Sequence, residues 1–271
     1  MNHKHSVYYK YSAKTCARLH YGILILNVLI GTIGALVVVM FQENGLAFLL
    51  ALLLYLCFYF IWRHIPIIML QGILYTDCDA VKMKDVIFII ENRVKKEWAK
   101  VIWRMLRVQA LSYVKGCEQE SSELLQTCRG YKKTLGNELF HLSLYMGYYA
   151  ATEQWEDYQK VKEKMKNLLS TQEPSKKNKI MYEQYIKASE ASEKFRAGEF
   201  EEARNLCQGL LDAGKFNMLN KVIIHEMLAA IDIKEEKYES AKQHLMFVAQ
   251  NGGTTYMADE AKEKLQQFEQ E

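Results

Sequence analysis

The most chemistry-prone residues of this sequence stand together as Asp77-Cys78-Asp79. Two carboxylates flanking a thiol supply donor atoms that could coordinate a cation. A commoner role for such a segment is helix capping, because an aspartate before an apolar-periodic run accepts hydrogen bonds from the first free helix amides. We therefore predict that Asp79 begins a helix that runs to about Asn92.

The cysteines and histidines form no familiar metal or redox motif. The six cysteines include no C-x-x-C pair, and the seven histidines do not stand near them at ligand spacing. His225-Glu226 begins like a zinc-protease motif, but Ala229 occupies the position of the second histidine. We also find no glycine-rich phosphate loop and no nucleophile motif. The sequence predicts no catalytic residue, no metal and no cofactor, and hence a protein that is not an enzyme.

The elements that must position any site begin with two apolar runs. Residues 19–41 and 45–64 are almost free of charge and are separated by a short polar patch around Glu43. Each run has about the 20 apolar residues that a helix needs to cross a bilayer. We predict a transmembrane helical hairpin over residues 19–75. A cleaved signal peptide is the alternative for the first run, which is longer than usual and lacks a small-x-small cleavage pattern.

Charge predicts the orientation of this hairpin. Four basic residues lie in the segment 1–18, Arg63 follows the second run, and the turn at Glu43 carries no basic residue. Because short loops rich in lysine and arginine stay in the cytoplasm, we expect both termini there and an integral membrane protein. From Thr76 onward the chain has 30 basic and 31 acidic residues. This balance gives no electrostatic reason to expect nucleic acid as a partner.

Two stripes of residues are predicted to pack the hairpin. Helices in lipid associate through small residues and hydrogen bonds. Folding the hairpin about Glu43 sets the stripes against each other and brings the Asn27 amide near the Tyr59 hydroxyl. If both stripes face lipid instead, self-association into a homo-oligomer explains them better. The predicted packing residues are Asn27, Gly31 and Ala35 in the first run and Ala47, Ala51, Tyr55 and Tyr59 in the second.

The segment 65–75 is apolar but begins with Ile65-Pro66, and proline disfavours helix for the residue before it. Three interpretations stay open. The segment is the slanted end of the second helix, an interfacial segment at the membrane surface, or the apolar seat on which the soluble part docks.

Residues 76–271 are predicted to form a cytoplasmic, all-α domain. Apolar residues recur at three and four positions, and glycine or polar clusters separate the periodic stretches. Short loops imply antiparallel neighbours. The further predicted helices are 96–115, 120–133, 137–152, 155–170, 177–197, 200–213, 217–234, 238–250 and 255–269.

Three segments of this domain are similar to one another. Each has an aromatic residue (Trp155, Phe200 or Tyr238), then a small or aromatic residue three positions later, and each follows an amphipathic helix. Gly198-Glu199-Phe200-Glu201-Glu202-Ala203 resembles the turn into the second helix of the tetratricopeptide-repeat (TPR) family. The resemblance covers about 135–250, with a weaker unit at 99–130, and implies a TPR-like array of helix pairs.

Small residues carry the resemblance further, and three departures limit it. Ala191 and Ala229 fall on the small site of the family's first helix, and Ala203 and Ala241 on that of the second. The family tryptophan and closing proline are missing, and the period exceeds the family's about 34 residues. An ordinary all-helical domain without true repeats is the alternative.

The resemblance implies a groove for a protein or peptide partner, lined by the first helices of the pairs. Its positions are Tyr185, Ser192 and Arg196 in one pair and Glu226, Ala230 and Lys234 in the next. We expect a membrane-anchored scaffold that recruits a partner through the array. An accessory subunit of a transport or export complex, contacting it through the hairpin, is the second hypothesis. An enzyme with a site assembled from scattered residues is the third.

Overall fold

The computed structural model describes residues 5–128, 134–172, 174–214 and 216–270, with side chains in these ranges except at 58, 60–64, 177, 178, 269 and 270. Every regular element in these ranges is an α-helix, so the predicted all-α fold is confirmed. The helices are α1 (Ala13–Met40), α2 (Gly45–Tyr75), α3 (Ala80–Arg93), α4 (Glu97–Leu111), α5 (Glu118–Thr127), α6 (Leu135–Ala151), α7 (Trp155–Thr171), α8 (Lys176–Arg196), α9 (Phe200–Asp212), α10 (Met218–Lys234), α11 (Tyr238–Asn251) and α12 (Tyr256–Gln270).

Side-chain caps explain where several helices begin. Asp79 accepts a hydrogen bond from the Lys82 amide at 3.1 Å and so starts α3, as predicted. Ser12 and Asn44 cap α1 and α2 in the same way. The carboxylate or hydroxyl replaces a partner that the first helical amides lack. The predicted end of the helix over 120–133 lies outside the described residues.

Helix α1 packs against α2 across a short turn. Among the described residues, α1 is the one helix long and apolar enough to cross a bilayer, and little of it is buried. The described parts of α2 yield two shorter apolar stretches, Gly45–Cys57 and Ile65–Tyr75. One candidate membrane helix is therefore established by length and composition. A hairpin with two membrane spans is not confirmed.

Helix α2 continues through Pro66 and ends among the later helices. Of the three interpretations that the sequence left open for 65–75, the structure shows the end of the second helix, because a proline inside a long helix is tolerated when surrounding contacts offset the lost hydrogen bond. Here Leu70, Ile73 and Leu74 are fully buried. They belong to the same core cluster as α3 and the faces of α10, α11 and α12. The segment 65–75 is thus a seat for the helical domain.

The later helices pack in sequential antiparallel pairs: α6 with α7, α8 with α9, and α10 with α11. The turns within these pairs share one conformation. Residues 153, 198 and 236 have positive φ of 57°, 81° and 58°. The next residue in each case donates its amide to the carbonyl five residues earlier, at 2.8–2.9 Å. This is the helix-terminating geometry in which a left-handed residue satisfies the last carbonyls.

The shared turn places Trp155, Phe200 and Tyr238 at the first position of α7, α9 and α11. Small residues fill the contacts within the pairs. Ala191 and Ala203 are fully buried, which lets α8 and α9 approach closely. The same holds for α10 and α11, where the two small residues are Ala229 and Ala241. The all-helical structure is therefore consistent with the helical-repeat array that the sequence periodicity predicted.

Candidate functional site

A cleft of about 270 Å³ opens where the first helices of the array meet the last. Its walls come from the ends of α4 and α6 and the starts of α5 and α12. The Tyr256 amide donates a hydrogen bond to the Tyr113 carbonyl at 3.0 Å and so holds α12 against the end of α4. The polar lining consists of Ser112, Lys115, Glu118, Ser121, Tyr148, Tyr256 and Glu260.

Tyrosines dominate the interior behind this cleft. Burial raises the pKa of Tyr113 and of Tyr256 above the ordinary range. The Gln109 amide donates to the Tyr75 hydroxyl at 2.6 Å, which fixes the end of α2 against α4. Because these phenols stay neutral at physiological pH, they can serve as hydrogen-bonding groups.

Two predicted groove residues belong to this interior. The Tyr185 hydroxyl donates to the Ser143 carbonyl at 3.1 Å, and burial raises its pKa well above the usual value. Burial raises the pKa of Glu226 to about 7; Lys264 opposes this effect and Glu260 adds to it. Glu226 thus lies near the lining residues of α12 and can change its charge near neutral pH.

The other predicted groove residues lie elsewhere. The Arg196 guanidinium is 3.5 Å from the centroid of the Trp155 ring, so it joins the end of α8 to the preceding pair. Ser192 and Ala230 are half-buried, and Lys234 is exposed at the end of α10. Helices α8 and α10 contact each other only slightly. The structure therefore does not gather the six residues into one groove.

A polar cluster lies between α10 and α11. The Nδ1 atoms of His225 and His244 are 2.8 Å apart, so one ring must donate and the other accept. Fully buried Asp232 is 2.6 Å from Arg204 and 3.8 Å from His244. Burial lowers the pKa of both histidines, to about 4 for His225. No group of three metal-ligating side chains suited to an ion occurs among the described residues, and the cluster can serve as a buried polar network.

The turn between α2 and α3 joins three distant parts of the chain. Asp77 accepts hydrogen bonds from the Ser6 amide, at 2.8 Å, and from the Ser6 hydroxyl. The Thr254 amide donates to the Cys78 carbonyl at 3.1 Å, and its hydroxyl bonds to Asp79 at 2.9 Å. The acidic group that resembled a cation site is thus used to connect the N-terminal segment, the end of α2 and the last loop.

The predicted hairpin stripes meet in part. A Cβ at Gly31 would lie 3.7 Å from the Tyr55 hydroxyl oxygen and from the Tyr59 ring, and one at Gly34 only 2.6 Å from the Tyr55 ring. Ala35 is exposed, whereas Val38 is buried. A strict four-residue spacing drifts around a helix of 3.6 residues per turn, so positions 34 and 38 replace position 35 on the packed face.

The remaining stripe residues lie on the same side of the hairpin. Ala47, Ala51 and Tyr55 are half-buried, and Tyr59 is 39% exposed. The carbonyl oxygen of Asn27 is buried and accepts no hydrogen bond among the described residues. A hydrogen bond between the Asn27 amide group and the Tyr59 hydroxyl stays a prediction. Sequence analysis missed Gly34, although its spacing of three from Gly31 fits a helical face.

Comparison of the chain with protein-family models, with curated proteins and with solved structures finds no significant match. The functional argument therefore depends on the geometry alone.

Proposed function

We propose that the protein is a membrane-anchored cytoplasmic scaffold whose TPR-like array recruits a protein or peptide partner. In this proposal α1 and α2 form a two-span hairpin, and both termini lie in the cytoplasm. The distribution of basic residues on the N-terminal side and their absence from the turn at Glu43 support this orientation.

One observation carries the proposal: the array is built around the end of the anchor helix. Leu70, Ile73 and Leu74 have no exposed surface and belong to the core that includes residues of α10 and α11. The hydrogen bonds of Thr254 to the α2–α3 turn close the last loop onto the same point. A flexible linker would let a domain diffuse at the membrane. This junction instead holds the array at a set distance and orientation from the bilayer.

The cleft beside Tyr148 and Tyr256 is the surface we propose for the partner. It combines aromatic surface with hydroxyl groups, a positively charged lysine and negatively charged carboxylates. Tyrosine supplies large contact area at low entropic cost together with a hydrogen-bonding group. Holding a weakly binding segment near the membrane raises its local concentration and strengthens assembly without new contacts.

A photo-crosslinking amino acid at Tyr148 in intact membranes tests the partner site. Its match is the same amino acid at Glu239, whose side chain is 88% exposed on α11. The proposal expects a discrete crosslinked product from position 148 that is absent from position 239. Equal patterns at both positions would count against the cleft.

An accessory subunit that contacts a transport or export complex through α1 and α2 is the second candidate, supported by the largely exposed apolar surface of α1. Exchange of the hairpin separates the two. The structure requires that residues 13–21 and 65–75 be retained, because both segments pack on the domain. Replacing 22–64 with an unrelated hairpin should preserve the crosslink at position 148 for a scaffold. If the exchanged protein loses its cellular function but keeps the crosslink at position 148, the accessory-subunit hypothesis is favoured.

A further inference from the structure

The loop between α3 and α4 lies beside the point on α1 where its exposed apolar surface begins. Helix α3 lies along the start of α1, in the same direction. At its first turn, Lys82 donates to the Tyr9 carbonyl at 3.0 Å. At its last turn, the Ile90 carbonyl accepts from the Tyr21 hydroxyl at 3.1 Å. The chain then turns and α4 descends, with Gln109 bonded to the end of α2.

Position 21 also divides α1 into two parts. Before it, Cys16, Ala17 and His20 are buried, and the His20 ring meets Trp103 of α4 at 5.4 Å. After it, apolar side chains are open, with Ile25 and Val28 at 63% and 68% exposure. Residues 22–40 extend about 28 Å, at about 1.5 Å per residue, which matches the hydrocarbon thickness of a bilayer. The bilayer surface therefore falls near Tyr21, three residues later than the sequence pattern placed it.

The loop at this level has the composition of a membrane-surface segment. Arg93, Lys95, Lys96 and Trp98 are exposed, Trp98 at 66%. The Arg93 guanidinium lies 5.0 Å from the centroid of the Tyr21 ring. The three basic groups form no ion pair among the described residues, and the nearby acid, Glu97, is engaged by Lys100 and Arg104 at 2.6 and 2.9 Å.

We propose that the loop formed by Arg93, Lys95, Lys96 and Trp98 lies on the cytoplasmic membrane surface and binds anionic phospholipid headgroups. This inference rests on the proposed membrane hairpin. Uncompensated basic groups attract an anionic leaflet, and tryptophan prefers the headgroup region. A third contact, besides the two helices, would then fix the tilt of the array against the bilayer.

The test uses the full chain in vesicles with an environment-sensitive fluorophore on Trp98→Cys. The background carries Cys57→Ser and Cys117→Ser, since the other four cysteines are buried. The matched site is Lys115→Cys, 78% exposed just beyond the opposite end of α4. Vesicles contain a headgroup-labelled quencher lipid, with either neutral phosphatidylcholine alone or added phosphatidylglycerol.

We expect the probe at position 98 to be quenched at least about twofold more than that at 115, and more with phosphatidylglycerol present. Substituting R93Q, K95Q and K96Q together should abolish the phosphatidylglycerol-dependent increase. The matched triple K187Q, K234Q and K262Q changes three exposed lysines elsewhere and should retain it.

Equal quenching at 98 and 115 would overturn the inference, as would a phosphatidylglycerol effect that survives the loop triple. Retention of the protein in the membrane after an alkaline carbonate wash distinguishes failure of the loop contact from failure of the hairpin. Equal quenching in retained protein refutes the loop contact alone, whereas protein lost to the wash refutes the hairpin and the loop contact together.

Discussion

The Thr254 amide donates a hydrogen bond to the Cys78 carbonyl at 3.1 Å, across most of the length of the domain. This bond closes the last loop of the array onto the end of the anchor helix. Gly253, immediately before it, has φ of 56°, and a Cβ there would lie 2.5 Å from the same carbonyl. The array and the anchor thus share one folding unit, which makes the junction the most informative place to perturb.

Gly253→Ala should destabilise the protein by about 2–4 kcal/mol, because both the left-handed backbone and the contact with Cys78 exclude a side chain. Gly116→Ala is the matched variant: its φ is 77°, but nothing lies within 4 Å of the added carbon. It should cost only about 1 kcal/mol. Thermal unfolding of the detergent-solubilised chain, followed by circular dichroism, compares the two. Equal losses would show that the junction does not constrain Gly253.

Gly34→Ala should loosen the packing of α1 on α2, since the new carbon would lie 2.6 Å from the Tyr55 ring. We expect a loss of about 1–2 kcal/mol. Gly22→Ala, in the same helix but with open space around it, is the control. The double variant with Tyr55→Ala should recover most of the packing if the ring causes the clash. Disulfide crosslinking between introduced cysteines on the two helices provides the measurement, and an unaffected yield would contradict the packed face.

Glu226→Gln should stabilise the protein at pH 8 and leave it nearly unchanged at pH 5. Burial raises the pKa of Glu226 to about 7, so the folded state holds its proton more tightly than the unfolded state, whose pKa is near 4.5. That contribution is present below pH 4.5 and is lost as pH rises through 7. The gain at pH 8 should be about 1–3 kcal/mol. Denaturant unfolding at both pH values measures it, and a gain of the same size at pH 5 would refute the titration.

His225→Gln should reduce a loss of stability on acidification. Burial, with help from His244 and Lys221, lowers the pKa of His225 from its ordinary 6.5 to about 4. Between these values the unfolded state binds more protons, so stability falls as pH falls from 6.5 to 4, by at most about 3 kcal/mol. This change of stability with pH has the opposite sign to that caused by Glu226, so it is measured in the Glu226→Gln background. If the dependence of stability on pH is unchanged after His225→Gln, His225 is excluded as its origin.

The sequence predicted most helix boundaries because local signals set them. Asp79 as a cap and the aromatic residues Trp155, Phe200 and Tyr238 at helix starts needed no tertiary information. The repeat was visible for the same reason: the helix pairs α8–α9 and α10–α11 bury small residues such as Ala203 and Ala241 against the neighbouring helix. Local signals cannot predict which residues distant in the sequence will contact each other.

The candidate site shows that limit. The bonds of Asp77 to Ser6 and of Thr254 to Cys78 join residues that sequence proximity does not connect. Glu226 and Tyr185 were named for their repeat positions, but the region of the cleft also depends on Tyr113, in the turn after α4, and on Tyr256, at the start of α12. Arg196 was assigned to the groove, yet its nearest aromatic ring is Trp155 of the preceding pair.

In the proposed function, α1 and α2 cross the membrane together and hold the array on the cytoplasmic side. Accessibility of single introduced cysteines to a membrane-impermeant reagent tests this directly, in intact cells and in inverted vesicles. A cysteine at Glu43 should be labelled from outside intact cells, and one at Lys115 only in inverted vesicles. Labelling of position 115 from outside intact cells, or of both positions from the same side, would contradict the account.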